Sequence, residues 1–381
     1  MIEGDRARAP AAKRGRAERG FTLIELMVAL VVSSLLVGMI FAIFIRMSSA
    51  YRGQQQVAEV QSRLAAARAR IELDAQQAGL DMPDGFYMAG LPAGTKRSPL
   101  RVIDHADAPD ELAFYYADHS VQIATRDGSG GPCNRLRCDQ LDSTAGLAAG
   151  DVVVMSTVVG WADLGYAGAA KVAQFEACVL QISALGPNSL EFSTAPPWGA
   201  PGNTFCPSHP IVGTTMFYKL AARHWRIDPA RPAEGVLQLS TLGALIGVDD
   251  WQDQAYGFTD LQAATRLYER GDVTDTLDPG GDPERDWYSG EEQEVATAPA
   301  AAFARVPIQI SISLVARTER DVEGIASAST PNLTVDNNPD NNTLGDRAAI
   351  ALPSELPALS GHRILRYTTF QVDLRNLGVG R

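Results

Sequence analysis

Glu25 is the residue whose type and position imply chemistry most clearly, because it is an acid at the start of a long apolar run. It lies in the segment GFTLIEL, which begins at Gly20. A carboxylate deep in a bilayer costs roughly 2.5 to 3.5 kcal/mol, so it needs a cationic partner or a place at the interface. Glu25 could reach water beside Arg19, or it could pair with a cation inside the apolar layer.

An apolar helix must position this carboxylate. Residues 26–45 contain no charge, and at 1.5 Å per residue they form about 30 Å of helix, enough for one membrane span. The preceding residues 1–20 carry six Lys/Arg against three acids. The positive-inside rule therefore predicts a cytoplasmic N-terminus and an extracytoplasmic body. Ser33 and Ser34 are compatible with the span, since their hydroxyls can bond back to the helix.

The segment around Glu25 resembles the cleavage motif of type IV prepilins and of type II secretion pseudopilins. The resemblance covers about residues 13–50: a basic leader, a glycine before the cut, Glu at the fifth mature position and an immediate span. It implies that prepilin peptidase cuts after Gly20 and methylates the new amino group of Phe21. It also implies that Glu25 pairs with that ammonium on a neighbouring subunit and sets the register of assembly. The residues alone equally permit Glu25 to pair with the ammonium of Phe21 in its own helix, four residues earlier.

The helical pattern continues beyond the span. Apolar residues recur at steps of three and four, and they predict an amphipathic stripe: Val57, Val60, Leu64, Ala67, Ile71, Ala75 and Ala78. No proline occurs between Phe21 and Asp81. The pattern predicts one helix from Phe21 to about Gln77, with Gly79 as its terminator.

Beyond residue 81 the pattern changes to short β-like runs separated by Gly, Pro, Asn and Asp. The clearest run places Ile308, Ile310, Ile312 and Leu314 on one face. The other predicted strands are Glu111 to Tyr116, Asp151 to Val159, Ala177 to Ile182, Leu190 to Ser193, Thr215 to Leu220, Trp225 to Ile227, Val236 to Ser240 and Tyr367 to Leu374. Long loops are predicted at 126–150, 195–210, 247–302 and 318–359.

The predicted fold class is α+β, with a long N-terminal transmembrane and amphipathic helix packed on a β-rich, pilin-like globular head. Three parts are expected. Residues 1–20 are a cleaved basic leader, and 21–80 are the long helix, with its membrane span at about 21–45. Residues 81–381 are an extracytoplasmic β-rich head with long loops.

The end of the chain carries a second resemblance. The segment RYTTFQVDLRN, from Arg366 to Asn376, resembles the closing strand of PilW-type minor pilins and of the J-type pseudopilins. The same residues also form an ordinary alternating strand, with Phe370, Val372 and Leu374 on the buried face.

Four cysteines lie in the predicted exported part, as a disulfide framework requires. Three pairings exist, and we favour Cys133 with Cys138 and Cys178 with Cys206. A metal site is the alternative, because His209 lies three residues after Cys206, but no Cys-x-x-Cys pair is present. We therefore expect no metal and no cofactor.

Other functional classes find little support. The loops 272–286 and 336–342 are rich in acids and amides, but they lack the spacing of a twelve-residue calcium loop and are predicted to be solvated turns. No nucleophile elbow, phosphate loop or zinc-protease helix occurs, although two distant carboxylates could still form a glycosidase site. The formal charge of −12 argues against nucleic-acid binding.

The sequence predicts a minor pilin that is not an enzyme and that acts as a structural or priming subunit of type IV pilus assembly. It would lie in the bacterial inner membrane as a single-pass protein with a periplasmic head, and later in a pilus at the cell surface. Its expected partners are prepilin peptidase, other minor and major pilins, the assembly platform of the inner membrane and an adhesin. The alternatives are a type II secretion pseudopilin and a membrane-tethered periplasmic enzyme or binding protein.

Overall fold

A computed structural model describes residues 22–83, 85–92, 94–105, 108–125, 133–163, 171–206, 215–269, 287–288, 305–318, 343–344, 347–348 and 364–377. In these residues one long helix is followed by a β-rich head, so the predicted α+β fold class is confirmed. The chain divides into two compact units, residues 1–53 and 54–381.

The helix α1 is Leu23–Gln77. The strands are β1 Phe86–Tyr87, β2 Leu100–Ile103, β3 Glu111–Ala124, β4 Arg137–Asp139, β5 Val152–Asp163, β6 Lys171–Gly186, β7 Ser189–Phe192, β8 Thr215–Ile227, β9 Leu237–Ser240, β10 Gln252–Ala255, β11 Phe258–Glu269, β12 Trp287–Tyr288, β13 Arg305–Arg317, β14 Thr343–Leu344, β15 Arg347–Ala348 and β16 Leu365–Asp373. Two short 3-10 helices lie at Pro201–Asn203 and Ala244–Ile246.

The first unit contains the apolar part of α1. Among the described residues, α1 is the one helix that is long and apolar enough to cross a membrane. The predicted bond from a serine back to the helix is present, since Ser34 Oγ donates to the carbonyl oxygen of Val31 at 2.8 Å. Gly38 does not interrupt the helix.

The second unit contains two main sheets. A ten-stranded sheet has the order β10-β9-β8-β5-β6-β7-β4, with β3 and β2 attached through β8 and with β1 parallel to β6. A four-stranded antiparallel sheet has the order β12-β11-β13-β16. The strands β14 and β15 form a small separate pair.

The core of the second unit lies between the later part of α1 and both sheets. The predicted helical stripe is buried at Val60, Leu64, Ala67, Ile71, Ala75 and Ala78, whereas Val57 is half-buried. These side chains pack in one cluster with Leu112, Trp225, Leu261, Ile312 and Phe370. The helix therefore holds the ten-stranded and four-stranded sheets to one apolar surface.

The predicted loop at 247–302 is wrong, because β10, β11 and β12 lie inside it. The strand β11 reads FTDLQAATRLYE, so its apolar alternation is interrupted by polar residues. Both Asp260 and Gln262 are nevertheless buried, on the face opposite Leu261 and Ala263. Asp and Ala are depleted in strands, so Asp260, Ala263 and Ala264 give β11 a weak strand signal in the sequence.

The structure also corrects one pair of predicted strands and two further predicted loops. Thr215 to Leu220 and Trp225 to Ile227 are one strand, β8, which the intervening Ala221 and Ala222 continue by pairing with β3. The short strands β4, β14 and β15 also lie inside predicted loops. Strands of two or three residues are fixed by their partners and have no pattern of their own.

Candidate functional site

The predicted processing residues stand at the beginning of the described chain. Gly20 and Phe21 lie outside the described residues, whereas Glu25 lies in the first turn of α1. The side chains of Thr22 and Glu25 are both exposed. The site can therefore be built from these two residues and from the helix that follows them.

Thr22 and Glu25 form a reciprocal cap. The backbone N–H and the hydroxyl of Thr22 each donate to Glu25 Oε2 at 2.9 Å. In return, the backbone N–H of Glu25 donates to Thr22 Oγ1 at 3.3 Å. This is the capping-box arrangement, in which the first and fourth residues of a Thr-x-x-Glu segment satisfy donors at the helix start.

Sequence reasoning missed the part played by Thr22, although the Thr-x-x-Glu spacing could have identified it. Glu25 thus has a second role besides a charge in an apolar layer. The cap holds its carboxylate over the helix N-terminus, where negative charge is favoured by the helix dipole. A cation placed just before Thr22 would meet a carboxylate that is already oriented.

The first unit exposes the apolar side chains that follow the cap. The large ones from Leu23 to Ile45 are all at least half exposed, from 50% at Val32 and Val37 to 78% at Leu23. Soluble monomers rarely expose so much contiguous apolar surface. This surface requires lipid or other apolar helices around it.

Asp74 is a buried acid in the last part of α1, and the sequence analysis missed it. Its Oδ2 accepts the indole N–H of Trp225 at 2.8 Å, and its Oδ1 accepts the hydroxyl of Tyr116 at 3.2 Å. Arg223 Nε lies 3.8 Å from Oδ1. These bonds tie the helix to β3 and β8.

Burial of Asp74 has an electrostatic consequence. It raises the pKa of this carboxyl above its ordinary value, against the opposing effects of the Trp225 bond and of the Arg223 charge. The sequence position of Asp74 could have identified it as buried, because it lies three residues after Ile71 on the apolar stripe. An acid on a buried stripe must find donors, and here it finds them on the sheet.

The segment after β16 ends on the C-terminus of α1. Asn376 Nδ2 donates to the carbonyl oxygen of Gln76 at 2.8 Å, and Leu377 is buried. The backbone N–H of Gly79 donates to the carbonyl oxygen of Tyr115 at 2.9 Å. The segment that resembles the closing strand of minor pilins therefore caps the helix end, where backbone carbonyls lack helical partners.

We expect Gly79→Ala to destabilise the head by about 2 to 4 kcal/mol, from left-handed strain and a steric clash. Gly79 has φ +80°, and a Cβ there would lie 2.2 Å from Leu377 Cδ2 and 2.9 Å from the carbonyl oxygen of Asn376. Gly90→Ala is the matched control, because Gly90 has φ +87° and no atom within 4 Å of such a Cβ. Urea unfolding should show a clearly larger loss of unfolding free energy for Gly79→Ala than for Gly90→Ala. Equal losses would contradict the close packing of Leu377 against Gly79.

The four cysteines form two disulfide bonds, Cys133–Cys138 and Cys178–Cys206. These are the pairs that the sequence analysis favours. The two closed segments contact each other, since Asn203 Nδ2 donates to the carbonyl oxygen of Arg135 at 2.7 Å. The cysteine thiolates needed for the alternative metal site are therefore not present.

No group of three or more His, Cys, Asp or Glu side chains is placed to hold a metal ion within the described part of the chain. The acidic loops 272–286 and 336–342 lie outside it, as does His209. His224 and His119 are engaged by acids: His224 Nε2 lies 2.9 Å from Glu111 Oε2, and His119 pairs with Asp81.

Comparison with known proteins identifies the N-terminal segment. Residues 15–41 match the family model described as a prokaryotic N-terminal methylation motif. No curated protein matches the chain significantly. Among solved structures, a type IV-like pilin from Thermus thermophilus aligns with 84% of this chain and 97% of its own, at 14% identity and a TM-score of 0.28. A likeness at that TM-score does not establish a shared fold.

The matched segment contains Gly20, Phe21 and Glu25, together with the first part of the exposed apolar helix. The motif covers a small part of the chain, and the head lies outside it. The chain thus carries a prepilin-type N-terminal methylation motif at the start of a long helix, and a β-rich head follows that helix.

Proposed function

We propose that this chain is a minor pilin of the PilW type, a non-enzymatic subunit that primes or supports the assembly of a type IV pilus. One observation carries the proposal. A carboxylate, Glu25, is held at the beginning of an exposed apolar helix, inside a segment that matches the N-terminal methylation motif. An apolar helix with an oriented acid at its start suits assembly beside other helices of the same kind.

The proposed chemistry begins with cleavage after Gly20. Phe21 then becomes the first residue, and its methylated amino group carries a positive charge. That nitrogen is one residue away from the backbone N–H of Thr22, which lies 2.9 Å from Glu25 Oε2. The carboxylate can therefore neutralise the ammonium of its own chain or that of a neighbour, and pairing between neighbours fixes their axial register.

The proposed location follows from the same segment. The leader, residues 1–20, stays in the cytoplasm until it is removed, and the span at about 21–45 lies in the inner membrane. The head, residues 81–381, lies in the periplasm before the subunit enters a pilus. The two disulfide bonds support an oxidising compartment for the head.

The proposed partners are prepilin peptidase, other minor and major pilins, the assembly platform of the inner membrane and an adhesin. Each of the first three would contact the helix, because peptidase, pilins and platform all act on its apolar part. The head would contact further minor pilins or the adhesin. None of these roles requires an active site in the head.

Intact-mass analysis of the protein from hosts with and without prepilin peptidase tests the proposal. We expect the peptidase-competent host to yield a chain that begins at N-methylated Phe21, and the deficient host to yield the full chain from Met1. Gly20→Val should block the cut in the competent host, because the peptidase requires a small residue there. An uncut wild-type chain in the competent host would contradict the proposed function.

A second measurement separates pilus from secretion system. Pili sheared from cells should contain the processed chain, with Phe21 as its first residue. A processed chain that is absent from sheared pili and required for protein secretion would identify a pseudopilin. A processed chain required for neither would contradict both assembly roles.

A further inference from the structure

Asp110 joins the two main sheets of the head. It immediately precedes β3 in the ten-stranded sheet, and it is only 1% exposed. Its backbone N–H donates to the carbonyl oxygen of Leu261 at 2.8 Å, and its Oδ2 accepts the N–H of Ala263 at 2.8 Å. Leu261 and Ala263 belong to β11 of the four-stranded sheet. One residue thus supplies both a main-chain donor and a side-chain acceptor to that strand.

The geometry of β11 explains why this contact matters. Among the described residues, its neighbour β13 occupies one edge, and β12 pairs with the other edge at Thr265 and Arg266. Asp110 bonds to the second edge of β11 at Leu261 and Ala263, as a neighbouring strand would. Without it, a buried N–H and a buried carbonyl of β11 would lose their partners, at a cost of roughly 1 to 3 kcal/mol each.

The neighbouring Asp104 charge acts on the buried carboxyl of Asp110. Two ionised carboxylates close together repel each other, so the pair is favoured when it holds one proton. Asp104 is half-buried and Asp110 is fully buried, which places the proton on Asp110 and the charge on Asp104. Burial raises the pKa of Asp110 to about 8, and the neighbouring Asp104 charge adds to the effect.

We propose that the Asp104–Asp110 pair is a proton-dependent joint between the two sheets. A proton on Asp110 allows its carboxyl to lie buried against β11. In alkaline conditions Asp110 loses that proton, which leaves two carboxylate charges close together, one of them buried. The contact between Asp110 and β11 is then weaker. This device is independent of the assembly role proposed for the helix.

The other ionisable groups of the adjoining elements have partners of their own. His105 Nε2 lies 3.6 Å and His224 Nε2 lies 2.9 Å from the two carboxylate oxygens of Glu111. Burial alone would raise the pKa of Glu111, but the His224 bond and the charges of His224, His105 and Arg226 together lower that pKa. On β11, Asp260 Oδ1 accepts the N–H of the following residue at 2.9 Å. His105 supplies only a long backbone bond of 3.4 Å to Asp110 Oδ1.

The direction of the pH effect follows from linkage. The folded state raises the pKa of Asp110, so its stabilising contribution is complete below the ordinary aspartate value of about 3.9. It is lost as pH rises towards about 8, the folded value. In this window folding takes up one proton, and the unfolding equilibrium constant rises about tenfold per pH unit on account of the pair.

Urea unfolding of the full-length protein in non-ionic detergent, followed by tryptophan fluorescence from about pH 5 to about pH 9, tests the joint. We compare wild type with Asp110→Asn, whose amide can donate to Asp104 while its oxygen accepts the Ala263 N–H. The ratio of wild-type to variant unfolding constants should rise about tenfold per pH unit and level off near pH 8. Asp249→Asn, at an exposed acid, should leave the wild-type profile unchanged.

Asp104→Asn provides a second test that does not depend on the first variant folding. It removes the neighbouring charge, and its amide can donate to an ionised Asp110, so this variant should show a smaller alkaline decline than wild type, since the burial of Asp110 remains. Profiles of both variants parallel to wild type would overturn the proposal. So would stabilisation of wild type by calcium chloride at alkaline pH that is absent from Asp110→Asn, because a cation would then bridge the carboxylates.

Discussion

Glu25→Ala is expected to leave leader cleavage largely intact and to lower the amount of the protein in sheared pili at least about tenfold. The reason is electrostatic, since an unpaired charge within an apolar layer costs roughly 2.5 to 3.5 kcal/mol, and tenfold corresponds to 1.4 kcal/mol. Without the carboxylate, the ammonium of Phe21 would enter the filament core unpaired. The measurement is quantitative immunoblotting of sheared pili, normalised to the processed protein in membranes.

Two variants separate the charge of Glu25 from its cap. Glu25→Gln removes the charge but keeps an oxygen that can accept the two Thr22 bonds now made to Oε2. Thr22→Val keeps the charge but removes the hydroxyl that accepts the Glu25 N–H. If charge sets the register, Glu25→Gln should behave like Glu25→Ala, and Thr22→Val should enter pili nearly as wild type does.

The reverse result would assign Glu25 a local role. Normal incorporation of Glu25→Gln together with reduced incorporation of Thr22→Val would show that the residue only caps the helix, an effect of about 1 kcal/mol. Normal incorporation of Glu25→Ala would remove the register role altogether. The cap and the charge therefore make opposite predictions for one pair of variants.

The helix was the most predictable element, because its pattern is local. An uncharged run followed by apolar residues at steps of three and four predicts a helix to about Gln77, and α1 ends at that residue. The alternation of Ile310, Ile312 and Leu314 predicted β13 in the same way, and these side chains are buried. In α1 one face meets the core, so sequence period and burial coincide. In β13 the apolar face was predictable, although the serines of the opposite face are buried too.

Elements whose form depends on distant partners were less predictable. The strand β11 buries Asp260, although Asp is depleted in strands and typical of turns, so this part of the sequence resembles a loop. Asp110 likewise follows a proline in what reads as a polar turn, yet it completes the edge of β11. Only the pairing of strands far apart in the chain gives these acids a buried position.

In the candidate site, too, the local contact was predictable from the sequence and the distant contact was not. The Thr22 and Glu25 cap lies within four residues, and its spacing is visible in the sequence. The contact of Asn376 with Gln76 joins residues 300 positions apart, and no local pattern reveals it. The alternating pattern near the chain end predicted the strand β16 but not the contact of the following residues with the helix.

Asp74→Ala is expected to destabilise the head by about 3 to 5 kcal/mol, the second large effect. The substitution leaves the buried indole N–H of Trp225 and the hydroxyl of Tyr116 without the acceptor they share in the native structure. It also removes the anion beside Arg223. Urea unfolding followed by tryptophan fluorescence measures this loss, and Trp225 is one of the five tryptophans that contribute to the signal.

Two controls make the Asp74 prediction specific. Asp74→Asn keeps an oxygen for Trp225, and its NH2 group can donate to the hydroxyl oxygen of Tyr116 while the charge is removed. We therefore expect a smaller loss of about 1 kcal/mol. Glu72→Ala changes an acid on the same helix that pairs with Arg68 four residues earlier, at 3.4 Å, and such a pair contributes about 0.3 to 0.5 kcal/mol. If Asp74→Ala and Glu72→Ala cost the same, the buried bonds do not hold the helix to β8, and apolar packing alone does so.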